Sequence, residues 1–108
     1  MIIKCYAVFD SKAAAFSAPF FCPNTGVALR SFGDAVNSQG NNLALHPEDF
    51  TLYELGSVDD GDGVLRLTSS GRPEVVATAS SVVKHGGIDM SRFPVGLDKS
   101  VKSGEVVG

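Results

Sequence analysis

The residues that could do chemistry in this chain are cations that alternate with aromatic rings on extended segments. Cations attract phosphate and exposed rings stack on bases, so this combination is typical of proteins that bind single-stranded nucleic acid. The candidate residues are Lys4, Tyr6, Lys12, Phe16, Phe20 and Arg30, with Lys84, Arg92, Lys99 and Lys102 as further phosphate contacts. The alternative is that the rings form the core, since the chain has seven Phe and no Trp to fill it.

Catalysis and metal binding are not expected. Neither His46 nor His85 has a Cys, Asp or Glu at a spacing typical of zinc ligands. The run His46-Pro47-Glu48-Asp49 holds a base and two acids, but no nucleophile accompanies them. No G-x-S-x-G or S-x-x-K motif is present. We therefore expect a non-enzymatic protein without metal or cofactor, with His46 in a structural role.

The acidic run at residues 59–63, DDGDG, resembles part of a calcium-binding loop. Asp60, Asp62 and Gly63 match three positions of an EF-hand loop, but Ser69 stands where the closing Glu is required. The run therefore predicts a hairpin turn.

Length and charge restrict the class of protein. The chain has 108 residues and a net charge of −3, which favours one domain and gives no overall attraction for a polyanion. Residues 1–66 carry −4 and residues 67–108 carry +1. No segment predicts a membrane span or a signal peptide. Cys5 and Cys22 could face each other on neighbouring strands, but we expect free thiols in a reducing cytoplasm.

The elements that must position the candidate residues are short. Extended runs are predicted at residues 2–9, 13–22, 50–58 and 64–68, and a helix at residues 24–37 with an apolar stripe. The stripe consists of Ala28, Phe32, Ala35 and Val36. The pattern predicts an α+β fold: a small antiparallel sheet of three to five strands with one amphipathic helix in β-β-α-β-β order. Residues 1–68 are predicted as the compact domain, and 69–108 as an extended strand or arm and a flexible C-terminal tail.

Four motifs in order resemble the small non-structural protein of gokushoviruses, single-stranded DNA phages of the microvirus group. The motifs are V-F-D-S-K (8–12), P-F-F (19–21), F-x-D-A-V-N (32–37) and H-P-E-D-F-T-L-Y-E-L-G (46–56). The resemblance covers roughly residues 1–66. It implies a protein of the host bacterial cytoplasm that binds DNA and helps replication switch to single-stranded genomes. The resemblance implies no catalytic residues.

Two functions are therefore expected as alternatives. The first is DNA binding, with single strands as the expected form, through the cations and rings named above. The second is an interaction or assembly factor that binds the replication initiator, a host replication protein or capsid precursors, which the acidic first half favours. In both cases a free sheet face or edge strand predicts a homodimer or higher homo-oligomer.

Overall fold

The structure, a computed structural model, describes residues 1–84 as a six-stranded sheet with short helices. The strands are β1 (Ile2–Asp10), β2 (Ala15–Phe16), β3 (Phe20–Cys22), β4 (Phe50–Asp59), β5 (Leu65–Leu67) and β6 (Glu74–Thr78). The helices are α1 (Thr25–Val36), α2 (Asn42–Leu45) and α3 (Ala79–Val82), with a 3₁₀ turn at Pro47–Asp49. The predicted flexible tail, with His85, Arg92, Lys99 and Lys102, lies outside the described residues.

The sheet is built around two long strands. β1 and β4 pair antiparallel along almost their whole length. β2 and β3 pair with the outer edge of β1 at opposite ends of that strand. β5 and β6 pair in the same way with the outer edge of β4. The sheet is therefore four strands wide, and each outer position holds two short strands.

The predicted fold class is wrong in the number of strands, the number of helices and their order. Six strands and three α-helices are present among residues 1–84, where three to five strands and one helix were predicted. Residues 13–22 divide into two strands around Pro19, which has no N–H for the ladder. The side chains of Asn41 and Thr78 cap α2 and α3, which are too short to show an apolar period. The division of the chain at residue 68 stays a prediction.

α1 covers one face of the sheet and closes the core. The helix begins after Asn24, whose side-chain oxygen accepts the backbone N–H of Val27 at 3.0 Å. Three of the four residues of its predicted apolar stripe are fully buried, and Ala35 is half-buried. The core cluster consists of Tyr6, Cys22, Ala28, Phe32, Val36, Phe50, Leu52 and Ala79. None of the helices in residues 1–84 is long and apolar enough to cross a bilayer.

The opposite face of the sheet, which we call the open face, has no helix over it in the described part of the chain. Residues paired across antiparallel strands lie on the same face, so the register arranges their side chains in rows. The rows are Phe16–Phe9–Thr51–Thr78, Ala7–Tyr53–Val75, Phe21–Cys5–Gly56–Leu67 and Ile3–Val58–Leu65. These rows contain no charged side chain.

Gly56 allows β5 to pair closely with β4. A Cβ atom at this position would overlap the backbone carbonyl oxygen of Arg66. Backbone atoms of a paired strand cannot rotate away as a flexible side chain does, so β5 holds this register only because residue 56 is glycine.

Candidate nucleic-acid interface

Lys4 lies on the helix-covered side of β1 and is paired with an acid. Its register partner on β3 is the core residue Cys22. Its ammonium nitrogen is 3.5 Å from a carboxylate oxygen of Glu54, and its side chain is 38% exposed. An ion pair this exposed contributes about 0–1 kcal/mol, so it holds the lysine only weakly. A phosphate at this position would have to compete with Glu54.

Lys12 and Arg30 lie in two other parts of the molecule. Lys12 is exposed in the turn between β1 and β2, and it lines a groove of about 410 Å³ with Asp10, Glu48 and Asp49. Arg30 is exposed on α1, which covers the side of the sheet opposite the open face. The predicted cations therefore do not gather on one surface.

The last described residue is Lys84, whose side chain is exposed. Its backbone N–H donates to the side-chain oxygen of Asn37 at 2.8 Å, and the amide nitrogen of Asn37 donates to the carbonyl of Val82 at 3.0 Å. Asn37 thus fastens the end of α3 to the end of α1. Arg92, the remaining cation of the predicted site, lies outside the described residues.

Tyr6 belongs to the core. Its side chain is fully buried, and its hydroxyl is 2.9 Å from the hydroxyl of Thr25. Its ring stacks on the half-buried ring of Phe20, with centroids 6.0 Å apart. A ring enclosed in this way offers no face to a base, so the prediction that Tyr6 contacts nucleic acid does not agree with its position.

Phe16 is part of an aromatic cluster on the open face, formed with Phe9 and Tyr53. The ring centroids are 4.9 Å apart for Phe9 and Phe16, 5.3 Å for Phe16 and Tyr53, and 6.3 Å for Phe9 and Tyr53. Phe16 is 43% exposed. Of these three rings, the sequence analysis named only Phe16. The cluster could not be predicted because it depends on the pairing of β1 with β4, which brings Tyr53 beside the other two rings.

The groove at Lys12 joins two of the sequence motifs. The backbone N–H of Ser11, in V-F-D-S-K, donates to the carbonyl of Asp49, in H-P-E-D, at 2.9 Å. His46, Glu48 and Asp49 bring possible metal-ligand atoms within 4.8 Å of one another. The side chains of His46 and Glu48 are 60% and 67% exposed, so water competes for these atoms and we assign no metal site.

The acidic run forms the turn between β4 and β5, and its carboxylates bind separate cations. Asp60 is 2.8 Å from the amino group of Met1, and Asp62 is 2.8 Å from the guanidinium of Arg66. The hydrogen bond from Arg66 lowers the pKa of Asp62, and the same contact raises the pKa of Arg66. The two carboxylates do not converge on a common point as calcium ligands do.

The two cysteines are free thiols on opposite faces of the sheet. Cys22 lies in the core, whereas Cys5 lies in a row of the open face. Partial burial raises the pKa of the Cys5 thiol. The possibility that the two thiols face each other is therefore wrong.

The fold and this surface define a small antiparallel-sheet protein with one covered face and one open, uncharged face that carries aromatic rings. No curated protein and no solved structure matches the chain. The sequence profile of the Phage ORF5 protein family matches residues 3–82. The chain belongs to the Phage ORF5 protein family, and it is therefore a phage protein.

Proposed function

We propose that this phage protein is a non-enzymatic accessory of genome replication that binds single-stranded DNA on the aromatic cluster of the open face. In this role it promotes the switch to single-stranded genome synthesis in the cytoplasm of the host bacterium. The gokushovirus resemblance of residues 1–66 motivates the replication role, and membership of a phage family is consistent with it. The observation that carries the proposal is the grouping of Phe9, Phe16 and Tyr53.

The cluster has the properties of a stacking platform. The ring of Tyr53 contacts the rings of Phe9 and Phe16 edge to face, which fixes their orientation before a ligand arrives. Phe16 presents its ring to solvent at the edge of the sheet, on the short strand β2. Stacking of a base on such a ring contributes about 1–3 kcal/mol and does not depend on base identity.

Phosphate attraction contributes less than the sequence suggested. Lys4 is paired with Glu54, the groove at Lys12 is lined with acids, and Arg30 lies on the far side of the sheet. The proposed mode therefore relies on base contacts, with Lys12, in the turn that joins the strands of Phe9 and Phe16, as the predicted cation that adds a phosphate contact.

The test is a titration of a fluorescent single-stranded oligonucleotide with the full chain at low salt. Phe16→Leu keeps an apolar side chain but removes the aromatic ring, so we expect affinity to fall about tenfold, the equivalent of losing one stacked base. Phe21→Leu is the matched control: Phe21 is 54% exposed and lies four β1 positions from Phe16. Its affinity should equal that of the wild type. No binding by wild type at low salt, or equal losses in both variants, would overturn the proposal.

The second candidate is a protein-interaction or assembly factor, and the uncharged open face favours it. A surface without cations attracts DNA weakly but suits an apolar protein surface. Its partners would be the phage replication initiator, a host replication protein or capsid precursors. Pull-down of an identified replication or capsid protein that survives nuclease treatment, together with absent oligonucleotide binding, would favour this candidate.

A further inference from the structure

Exposed apolar side chains lie together at one end of the open face. Eleven large apolar side chains are exposed in the described part of the chain, and three of them, Phe21, Leu65 and Leu67, lie in the rows Phe21–Cys5–Gly56–Leu67 and Ile3–Val58–Leu65. We call these three, together with the half-buried Ile3 and Val58 of the same rows, the terminal patch. Leu65 and Leu67 are its most exposed members, at 71% and 73%. Phe9 and Phe16 of the aromatic cluster lie at the other end of the open face.

The terminal patch contains both a hollow and a projection. In the row Phe21–Cys5–Gly56–Leu67, the two central positions carry a small side chain and none. A groove of about 200 Å³ lies over Cys5 and Gly56 beside Leu65 and Leu67. Leu67 stands at the edge of this groove with most of its side chain in solvent.

We propose that the terminal patch is the interface of a homodimer, in which Leu67 of each copy enters the groove of the other. A two-fold axis brings the same surface of both copies together, so the surface must offer its own complement. The groove and Leu67 provide the two complementary parts.

Charge does not oppose this association. The rows of the open face that reach the patch contain no charged side chain. The nearby carboxylate of Asp62 is paired with Arg66 at 2.8 Å, so two copies do not bring unpaired Asp62 charges together. Arg66, which also lines the groove, is held by Asp62, and the patch carries one ring where the aromatic cluster carries three, so DNA is a less suitable occupant here than at the cluster.

The size of the patch sets the strength of the dimer. The side chains of the patch expose on the order of 500 Å², within the range for the largest patch of a monomer and less than the roughly 800 Å² per partner in a standard interface. The expected dimer is therefore weak enough to dissociate on dilution. The proposal does not depend on DNA binding, because Phe21 and Phe16 pair with β1 residues four positions apart, Cys5 and Phe9, which is about 13 Å along the strand.

Sedimentation equilibrium of the full chain without DNA tests the proposal. Wild type should dimerise reversibly with concentration, and Leu65→Ser/Leu67→Ser should raise the dimer dissociation constant at least tenfold, an estimate of about one order of magnitude from the lost apolar area. Both leucines are exposed, so the variant should retain its circular dichroism spectrum. Leu45→Ser is the matched control, since Leu45 is 63% exposed on α2 and should not affect dimerisation.

Two results would overturn the proposal. If the wild-type protein stays monomeric up to about 1 mM, the homodimer proposal is wrong and the patch would instead bind a different protein. Dimerisation of the double variant as tight as wild type would place the interface elsewhere. Where the double variant fails to fold, Phe21→Ser, at the opposite end of the row that contains Leu67, should weaken the dimer to a similar degree, and an unchanged dissociation constant would contradict the proposal.

Discussion

Tyr6 and Phe16 are both aromatic residues at strand positions, but they have different roles because they lie on opposite faces of the sheet. Tyr6 is fully buried against α1, and its hydroxyl contacts Thr25. Phe16 is 43% exposed and rests on Phe9 and Tyr53. Sequence alternation separates the two faces of a strand, but it does not say which face a helix covers.

The role of Tyr6 gives a prediction for stability. Tyr6→Phe removes a part-buried hydrogen bond and keeps the ring, so the free energy of unfolding should fall by about 0.5–1.5 kcal/mol. Oligonucleotide affinity should not change, because the ring is enclosed. Chemical denaturation and the fluorescence titration measure the two effects. Reduced affinity with unchanged stability would instead place Tyr6 in the DNA interface.

At the scale of secondary-structure elements, β5 depends on a single glycine. Gly56→Ala should force β5 away from β4 and lower the free energy of unfolding by about 1–3 kcal/mol, because the new methyl group meets the backbone of Arg66. Gly33→Ala is the control. Gly33 lies within α1 with open space around its Cβ position, so this change should stabilise the protein by about 0.5–1 kcal/mol. Denaturant unfolding of both variants measures the difference, and equal effects would contradict the contact with β5.

The longer elements could be predicted from the sequence and the short ones could not. The apolar stripe of α1 and its cap at Asn24 located that helix, and β1 and β4 lie within one residue of their predicted ranges. β2 has two residues and α2 has four, so neither is long enough to show a period. Strand pairing is a tertiary property, and it was needed to find Tyr53 beside Phe16.

At the scale of the whole molecule, charge is distributed so that no described surface combines several free cations. Lys4 and Arg66 are each paired with a carboxylate, and Lys12 lies beside acids. This distribution fits the net charge of −3 and supports the proposed binding mode, in which apolar contact dominates.

The proposed DNA complex should therefore depend weakly on salt. We expect a plot of the logarithm of affinity against the logarithm of salt concentration to have a slope between about −1.4 and −2.1, which corresponds to two or three phosphate contacts on a single strand. Lys12→Gln should make the slope shallower by about 0.7, and Arg30→Gln should leave it unchanged. Titrations at several salt concentrations measure these slopes. A slope steeper than about −4 would contradict a stacking mode.

The pairing of β1 with β4 also determines when the protein can fold during synthesis. Even the pair nearest in sequence, Asp10 with Phe50, closes a long stretch of chain, so the centre of the sheet forms late and at a cost in chain entropy. Until β4 leaves the ribosome, the inner edge of β1 has no partner, while β2 and β3 are already available to cover its outer edge. The nascent chain therefore exposes one unpaired edge of β1 instead of two, which lowers its tendency to aggregate before the sheet is complete.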